Sequence, residues 1–489
     1  MKINTYKIQG GILTLIIAAF IAVSCGNDFL NVSPSTNAGD ENLIKDASDL
    51  SIATKGTYET LSSSSYYQGY YTFIPDLMGD LLMEPSWGSQ HLKFYYAYGF
   101  SKVKAETSIY RSMYLGLHNI NIILEKASKL TESAEVKASI AELRILRAIM
   151  HFDLIRMYGP AYCNLGKGSI KADALGIRIA KEPIKDMRMI FYRDKVKDVY
   201  EFIKSEVEAS LPSMPKAKRN GFLNYWGAEA FLARVYQYMD LNDKAFSTAK
   251  DVIDNSGCKL YGIADYVASW GMEYGSESLF EIATSLADNA GYSSLGWICS
   301  ESGYKTAVPT ADFIALIKTN PEDVRFKLLN YSNKDKCYYI SGKYPGREDN
   351  IKINNPKVIR LSEMYLIAAE SALKSGNTAV AGKYLSDLRE HRTTVAPRKY
   401  ETSITIDDIL YESALELYGE GHRAWDLWRN GKSVVRYTTP EEKDVKGHID
   451  YLSDGTVAFD YYQAIYPIAE SELLLLPEKD RQSQQNPGY

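Results

Sequence analysis

The sequence holds little of what metal, redox or nucleotide chemistry needs. Its 489 residues include five cysteines and six histidines. The four cysteines after Cys25 (Cys163, Cys258, Cys299 and Cys337) are far apart, form no CxxC, and sit in no zinc-like cluster with histidine. No HExxH occurs either, so no metal site is expected and the four are read as buried thiols. There is no excess of positive charge: 56 Lys and Arg stand against 61 Asp and Glu, a formal charge of −5. A nucleic-acid partner is thereby excluded, since the basic field it requires is missing. P-loop and GxGxxG motifs are absent, and GYSSLG at Gly291 to Gly296 does not have GxSxG spacing. Phenylalanine is scarce, 15 residues against 38 tyrosines. Tyrosine supplies a ring whose edge also hydrogen-bonds, a type favoured where an aromatic face meets water and grips a ligand. The remaining composition, 45% hydrophobic and 24% charged, is that of a folded chain and excludes disorder, collagen and coiled coil.

The N-terminus bears on location. Lys2 and Lys7 precede an apolar stretch from Ile12 to Val23. It is too short to span a bilayer and reads as an export signal. Ala22-Val23-Ser24-Cys25 follows, small residues leading to a cysteine as at a bacterial lipoprotein cleavage site. Residues 1–24 are therefore expected to be a lipoprotein signal peptide and Cys25 the lipidated residue. Its removal takes two lysines and no acid, moving the formal charge from −5 to −7. No later run approaches the roughly 18 apolar residues of a membrane helix, so the lipid is the only attachment expected.

Along the body, helical periodicity dominates. Ile109, Met113, Leu117, Ile120 and Leu124 recur at steps of three and four, as do Ile140, Leu143, Leu146 and Ile149, predicting a helix pair over 107–158. That pair should stop at Tyr158-Gly159-Pro160, with Gly159 supplying a positive φ. Further helices are predicted over 194–211, over 221–255 with a turn at Leu241-Asn242-Asp243, over 363–392 with a turn at Gly376-Asn377, and over 407–431 with Thr405 or Asp407 as cap. Small Ala233 and Ala245 in one unit, and Ala368, Ala369 and Ala372 in another, permit close helix crossings. Both units resemble tetratricopeptide repeats. A helix pair alone leaves an apolar face wet, and stacking pairs removes it. The expected fold is mainly α, a tetratricopeptide-like helical scaffold. Four stretches lack the period: 62–104, 164–193, 257–305 and 330–357. Long irregular insertions rich in Gly, Ser, Tyr and Trp belong to function, so the ligand-binding loops are expected there.

CGNDFLNVSP after Cys25, IYRSMYLGLHNINIIL, AELRILRAIMHFDLIRMYG, EGHRAWDLWRNGK and the closing IYPIAESELLLLPEKDRQSQQNPGY together resemble the SusD/RagB family over essentially the whole chain. One departure is Pro467-Ile468-Ala469, where the family usually reads closer to Pro-Ile-Pro. The resemblance implies one SusD/RagB-like body over 25–489, with an N-terminal part to about 230 and a C-terminal part from about 260. It further implies a non-catalytic, lipid-anchored nutrient binder of the Bacteroidetes outer membrane, facing the cell exterior. Such a protein would need no cofactor and would act as a lid on a SusC-like TonB-dependent transporter, capturing oligosaccharide or, as in the RagB branch, oligopeptide. A surface hydrolase and a purely protein-binding adaptor are the remaining alternatives.

Within that frame, Arg144, Arg147 and Arg156, and Glu420, Arg423, Asp426 and Arg429, are expected to be ion pairs tying helices together rather than a charged active site. His151 and His422 lack a companion nucleophile and read as satisfied interface histidines. The ligand-binding candidates lie in the irregular stretches: Tyr67 and Tyr70 in SSSSYYQGYYTF, Trp87 in EPSWGSQ, and Trp270, Tyr292 and Trp297 in the later insertion. Flat indole and phenol faces suit the CH-rich face of a sugar, while Asp80, Gln90 and Asn289 are the polar candidates for its hydroxyls. Many of the tyrosines should simply pack between helices.

Overall fold

The computed structural model describes residues 44–186, 188–395, 403–436 and 455–489; the signal segment and Cys25 lie outside the described residues. The principal helices are α1 (Ala47–Gly56), α2 (Tyr70–Met78), α3 (Ser108–Ala127), α4 (Ala134–Tyr158), α5 (Val196–Ser210), α6 (Tyr225–Tyr238), α7 (Asn242–Asn255), α8 (Leu361–Lys374), α9 (Thr378–Glu390), α10 (Ile406–Leu417) and α11 (Arg423–Arg429). Side-chain caps mark several starts. Ser133 accepts from the Val136 amide, Asn224 from Gly227, Asn377 from Val380, and Thr405 forms a capping box with Asp408, each satisfying amides the helix leaves unpaired.

These helices pack mostly against their neighbours in sequence: α3 on α4, α4 on α5, α5 on α6, α6 on α7, then both α7 and α9 on α8, with α10 closing on α8. Small residues make this possible, since Ala233, Ala245, Ala249, Ala368, Ala369 and Ala381 are all buried. The predicted ion pairs bind helix to helix. Arg144 and Arg147 both reach Glu206 on α5, and Arg429 on α11 reaches Glu370 on α8. Arg234 on α6 forms a bidentate pair with Glu363 on α8, both bonds at 2.6 Å. His151 is fully buried between two backbone partners. One ring nitrogen is 2.7 Å from the Arg147 carbonyl and the other accepts from the Ala180 amide at 2.9 Å.

The structure differs from the sequence reading in three places. Tyr70–Met78, inside a stretch read as irregular, is a helix buried on nearly every side. Nine residues are too few for an amphipathic period to stand out, and Pro75 inside the helix works against the reading. Gly159 ends α4 with φ −137, extended rather than positive. What requires glycine there is space, because a β-carbon would lie 2.6 Å from Ile155 Cδ1 and 3.2 Å from the Gly176 Cα. Of the four thiols, Cys299 is buried, whereas Cys163, Cys258 and Cys337 are only half-buried; all four are free.

Strand is confined, among the described residues, to short antiparallel pairs. One of them positions the loops described next: Leu82 pairs with Pro309 and Met83 with Val308. It joins the middle of the first irregular stretch to a segment more than two hundred residues later.

Candidate ligand-binding site

Two segments run outward from that strand pair. From Met83 the chain enters Glu84 and the loop carrying Trp87, Gln90 and His91; leading into Val308 is the segment 291–307. The buried Glu84 carboxylate holds them together. It accepts from the Gln90 amide at 3.1 Å, the Leu92 amide at 3.3 Å and the Thr306 hydroxyl at 3.2 Å. Burial pushes this carboxyl up to about 7, and the three donors oppose the shift. The Ser89 amide also donates to the Tyr304 carbonyl at 2.9 Å.

Segment 291–307 folds back on itself. Trp297 lies on the helical turn Leu295–Cys299, and the Tyr304 amide donates to the Trp297 carbonyl at 2.9 Å. Gly303 is required for this return, since a β-carbon there would lie 1.9 Å from the Trp297 carbonyl oxygen. The consequence is a continuous row of rings. His91 stacks on Tyr304 with centroids 4.1 Å apart, Tyr304 meets the edge of Trp297 at 6.4 Å, and Trp297 meets Tyr292 at 4.9 Å. Tyr292 is 58% exposed and Trp87 is 43% exposed, so both present ring surface to solvent. Tyr70 borders the row, its hydroxyl 3.1 Å from that of Ser293. The Lys352 ammonium lies 3.7 Å from the Tyr292 centroid and 5.0 Å from that of Trp297.

Trp87, Trp297, Tyr292 and Tyr70 thus lie on or beside this loop face. Gln90 belongs to the same loop, with positive φ, and its side chain donates to the Pro85 carbonyl at 2.5 Å. Asn289 sits in the neighbouring loop, where its amide and carbonyl are spent on Ser285, Leu286 and Gly291. Three candidates lie elsewhere. Tyr67 is buried and donates to Asp153 at 2.6 Å, in a cluster with Tyr66 and Tyr71 that seats α2 on α4. Trp270 is buried among the cations of Lys343 and Arg360. Asp80 gives both oxygens to Arg423, at 2.6 and 2.9 Å. Tyr67 and Asp80 have their hydrogen-bonding partners inside the protein, and the Trp270 ring is covered by the framework.

Tyr304, His91, Lys352 and Glu84 were not legible as members of the site. His91 follows Trp87 by four residues in a Gly/Ser loop, and Tyr304 follows Trp297 by seven across a Gly-containing turn, which are the only signals in the sequence. The ring face is open rather than enclosed, with Tyr292 and Trp87 both exposed. By contrast, a cavity of about 60 Å³ lined by Lys218, Arg219, Phe222, Trp226 and Glu281 has room for a few waters and for no sugar ring. Among the described residues no helix is long and apolar enough to cross a membrane.

The class so defined is an α-helical scaffold carrying ring-lined loops on its surface. The model of the SusD family matches residues 330–489, and that of a family described as "Starch-binding associating with outer membrane" matches residues 28–237. A SusD-like protein of Bacteroides ovatus is 23% identical across 96% of this chain and 95% of its own length. The crystal structure of a SusD superfamily protein from Bacteroides vulgatus is 30% identical with a TM-score of 0.78, covering 91% of this chain and 99% of that one. A second, from Bacteroides thetaiotaomicron, is 28% identical with a TM-score of 0.80, covering 91% and 100%. This chain belongs to the SusD/RagB family.

Proposed function

We propose that this protein is a lipid-anchored, non-catalytic receptor on the outer membrane. It captures oligosaccharide on the ring face of Trp87, Tyr292 and Trp297 and delivers it to a SusC-like TonB-dependent transporter. Cys25 is the lipidated residue in this reading, and Tyr70, Gln90 and Asn289 border the bound sugar. Tyr67, Trp270 and Asp80 serve the framework. The observation that carries the reading is the row His91, Tyr304, Trp297 and Tyr292, held on two segments by one carboxylate. Sugar rings stack their CH faces on such surfaces while neighbouring polar groups take the hydroxyls. The starch-binding description of the family matched at the N-terminal half supports the same cargo class. The sequential helix pairs α6–α7 and α8–α9 are tetratricopeptide-like units whose stacking keeps the loops fixed. Transport energy comes from the transporter, and a lid closes because ligand contacts favour its closed position.

Replacing Trp297 or Trp87 by alanine is expected to weaken glycan binding about tenfold each, roughly 1.4 kcal/mol, with the melting temperature of Trp87→Ala unchanged. Calorimetric titration against a glycan panel and against mixed oligopeptides checks this. Binding that survives both substitutions, or binding of peptides alone, would remove the assignment.

A further inference from the structure

Two cations near the ring face are paired with acids. Lys305 lies 2.5 Å from Asp335 and Arg347 lies 2.9 Å from Glu273. Lys352, half-buried, has no acidic partner among the described residues. Its ammonium rests instead on the faces of Tyr292 and Trp297. A cation–π contact offsets only part of the cost of removing water from an ammonium. Its placement is built into the fold. Ile351 packs so closely on the helical turn of Trp297 that a β-carbon at Gly296 would lie 2.0 Å from the Ile351 carbonyl oxygen. Asn354 donates to that same oxygen at 2.6 Å and accepts from the Gly346 amide at 2.8 Å, while the Lys352 amide donates to Asn350 at 3.0 Å. The ring face therefore carries a cation with no acidic partner among the described residues.

We infer that the cargo is an acidic oligosaccharide, whose carboxylate or sulfate group pairs with Lys352 while its ring stacks on Tyr292 and Trp297. This rests on the glycan reading above and narrows it to anionic glycans. The anion completes the ion pair that the protein leaves open, and charge-assisted hydrogen bonds of this kind are the strong ones. Selectivity follows because a neutral sugar would leave the ammonium without a countercharge.

The test uses the full-length protein in detergent and four probes: oligogalacturonides, their carboxyl-reduced neutral counterparts, sulfated carrageenan oligosaccharides, and the same oligosaccharides after desulfation. The two charged arms distinguish carboxylate from sulfate as the source of the anion. At low salt, at least one charged probe is expected to bind tenfold or more tightly than its neutral counterpart, and the preference should shrink as salt is raised. Lys352→Gln should abolish the preference, Lys352→Arg should keep it, and both should melt as the natural protein does. Equal binding of charged and neutral glycans, or a preference that survives Lys352→Gln, overturns the inference and leaves the glycan reading standing. Binding of acidic peptides with none of the four probes overturns both.

Discussion

Three donors from two loops converge on the Glu84 carboxylate, and no other single side chain does as much to hold the ring face together. Removing it leaves two amides and a hydroxyl without an acceptor in a buried place, each worth about 1–3 kcal/mol. Glu84→Ala is therefore expected to destabilise the protein by about 3 kcal/mol in urea unfolding. It should also raise the hydrogen-exchange rates of the Gln90 and Leu92 amides more than those of α4. Unchanged exchange at those amides would show that the strand pair alone holds the loops. The tyrosines show how neighbours decide a residue's role. Tyr67 and Tyr292 both belong to Gly/Ser-rich sequence, yet the first is buried against Asp153 and the second is 58% exposed. Composition around a ring does not distinguish these, because the difference lies in which distant helix covers it.

Among elements, the short turn Leu295–Cys299 and the loop at 344–354 act as one unit through the contact at Gly296. Gly296→Ala forces a β-carbon against the Ile351 carbonyl, the Asn354 side chain and the Tyr344 carbonyl, so backbone must move. A cost of about 1–3 kcal/mol is expected from such overpacking. The displacement should also carry Lys352 away from the rings and lower glycan affinity, measured by titration alongside unfolding. Full affinity in a destabilised variant would separate the packing role from the binding role. The long amphipathic helices were legible in sequence nearly to their ends, because α3, α5, α7 and α9 each keep one apolar stripe. α2 was not, since it has nine residues and Pro75 lies inside it. A periodicity argument has too few positions there to separate one face from another.

For the whole molecule, the buried titratable groups set opposing dependences on pH. Burial lowers His151 and His422 to about 4. Their folded values lie below the unfolded 6.5, so the unfolded chain binds the extra protons and stability falls as pH drops from about 6.5 to 4. Burial raises Asp76 to about 6 and Glu84 to about 7. These folded values lie above the unfolded ones, so their contribution is greatest in acid and is lost as pH rises towards 6 and 7 respectively. The two pairs oppose each other across the same window. Burial also acts to raise Glu370, but Arg429 and Lys374 outweigh it and hold this carboxyl at about 2, and Glu416 is held well below its usual range by Arg392 and Arg360. Depressed carboxylates contribute stability above their unfolded value and lose it as pH falls through the folded one. Stability is thus expected to change little between pH 7 and 4.5 and to fall steeply below 4. A series of urea melts checks this, and a steep loss already at pH 5.5 would mean that the histidines dominate.

The order of the helices, their caps, the family resemblance and the placing of the aromatic candidates in irregular stretches all come from local sequence. Periodicity, capping and turn formation act between residues a few positions apart. The joining of Ser89 to Tyr304 and of Trp297 to Lys352, and the burial of Tyr67 and Trp270, come from tertiary packing. Those contacts cross about fifty to more than two hundred residues, and they depend on which covered surfaces lie opposite each other once the helices have stacked.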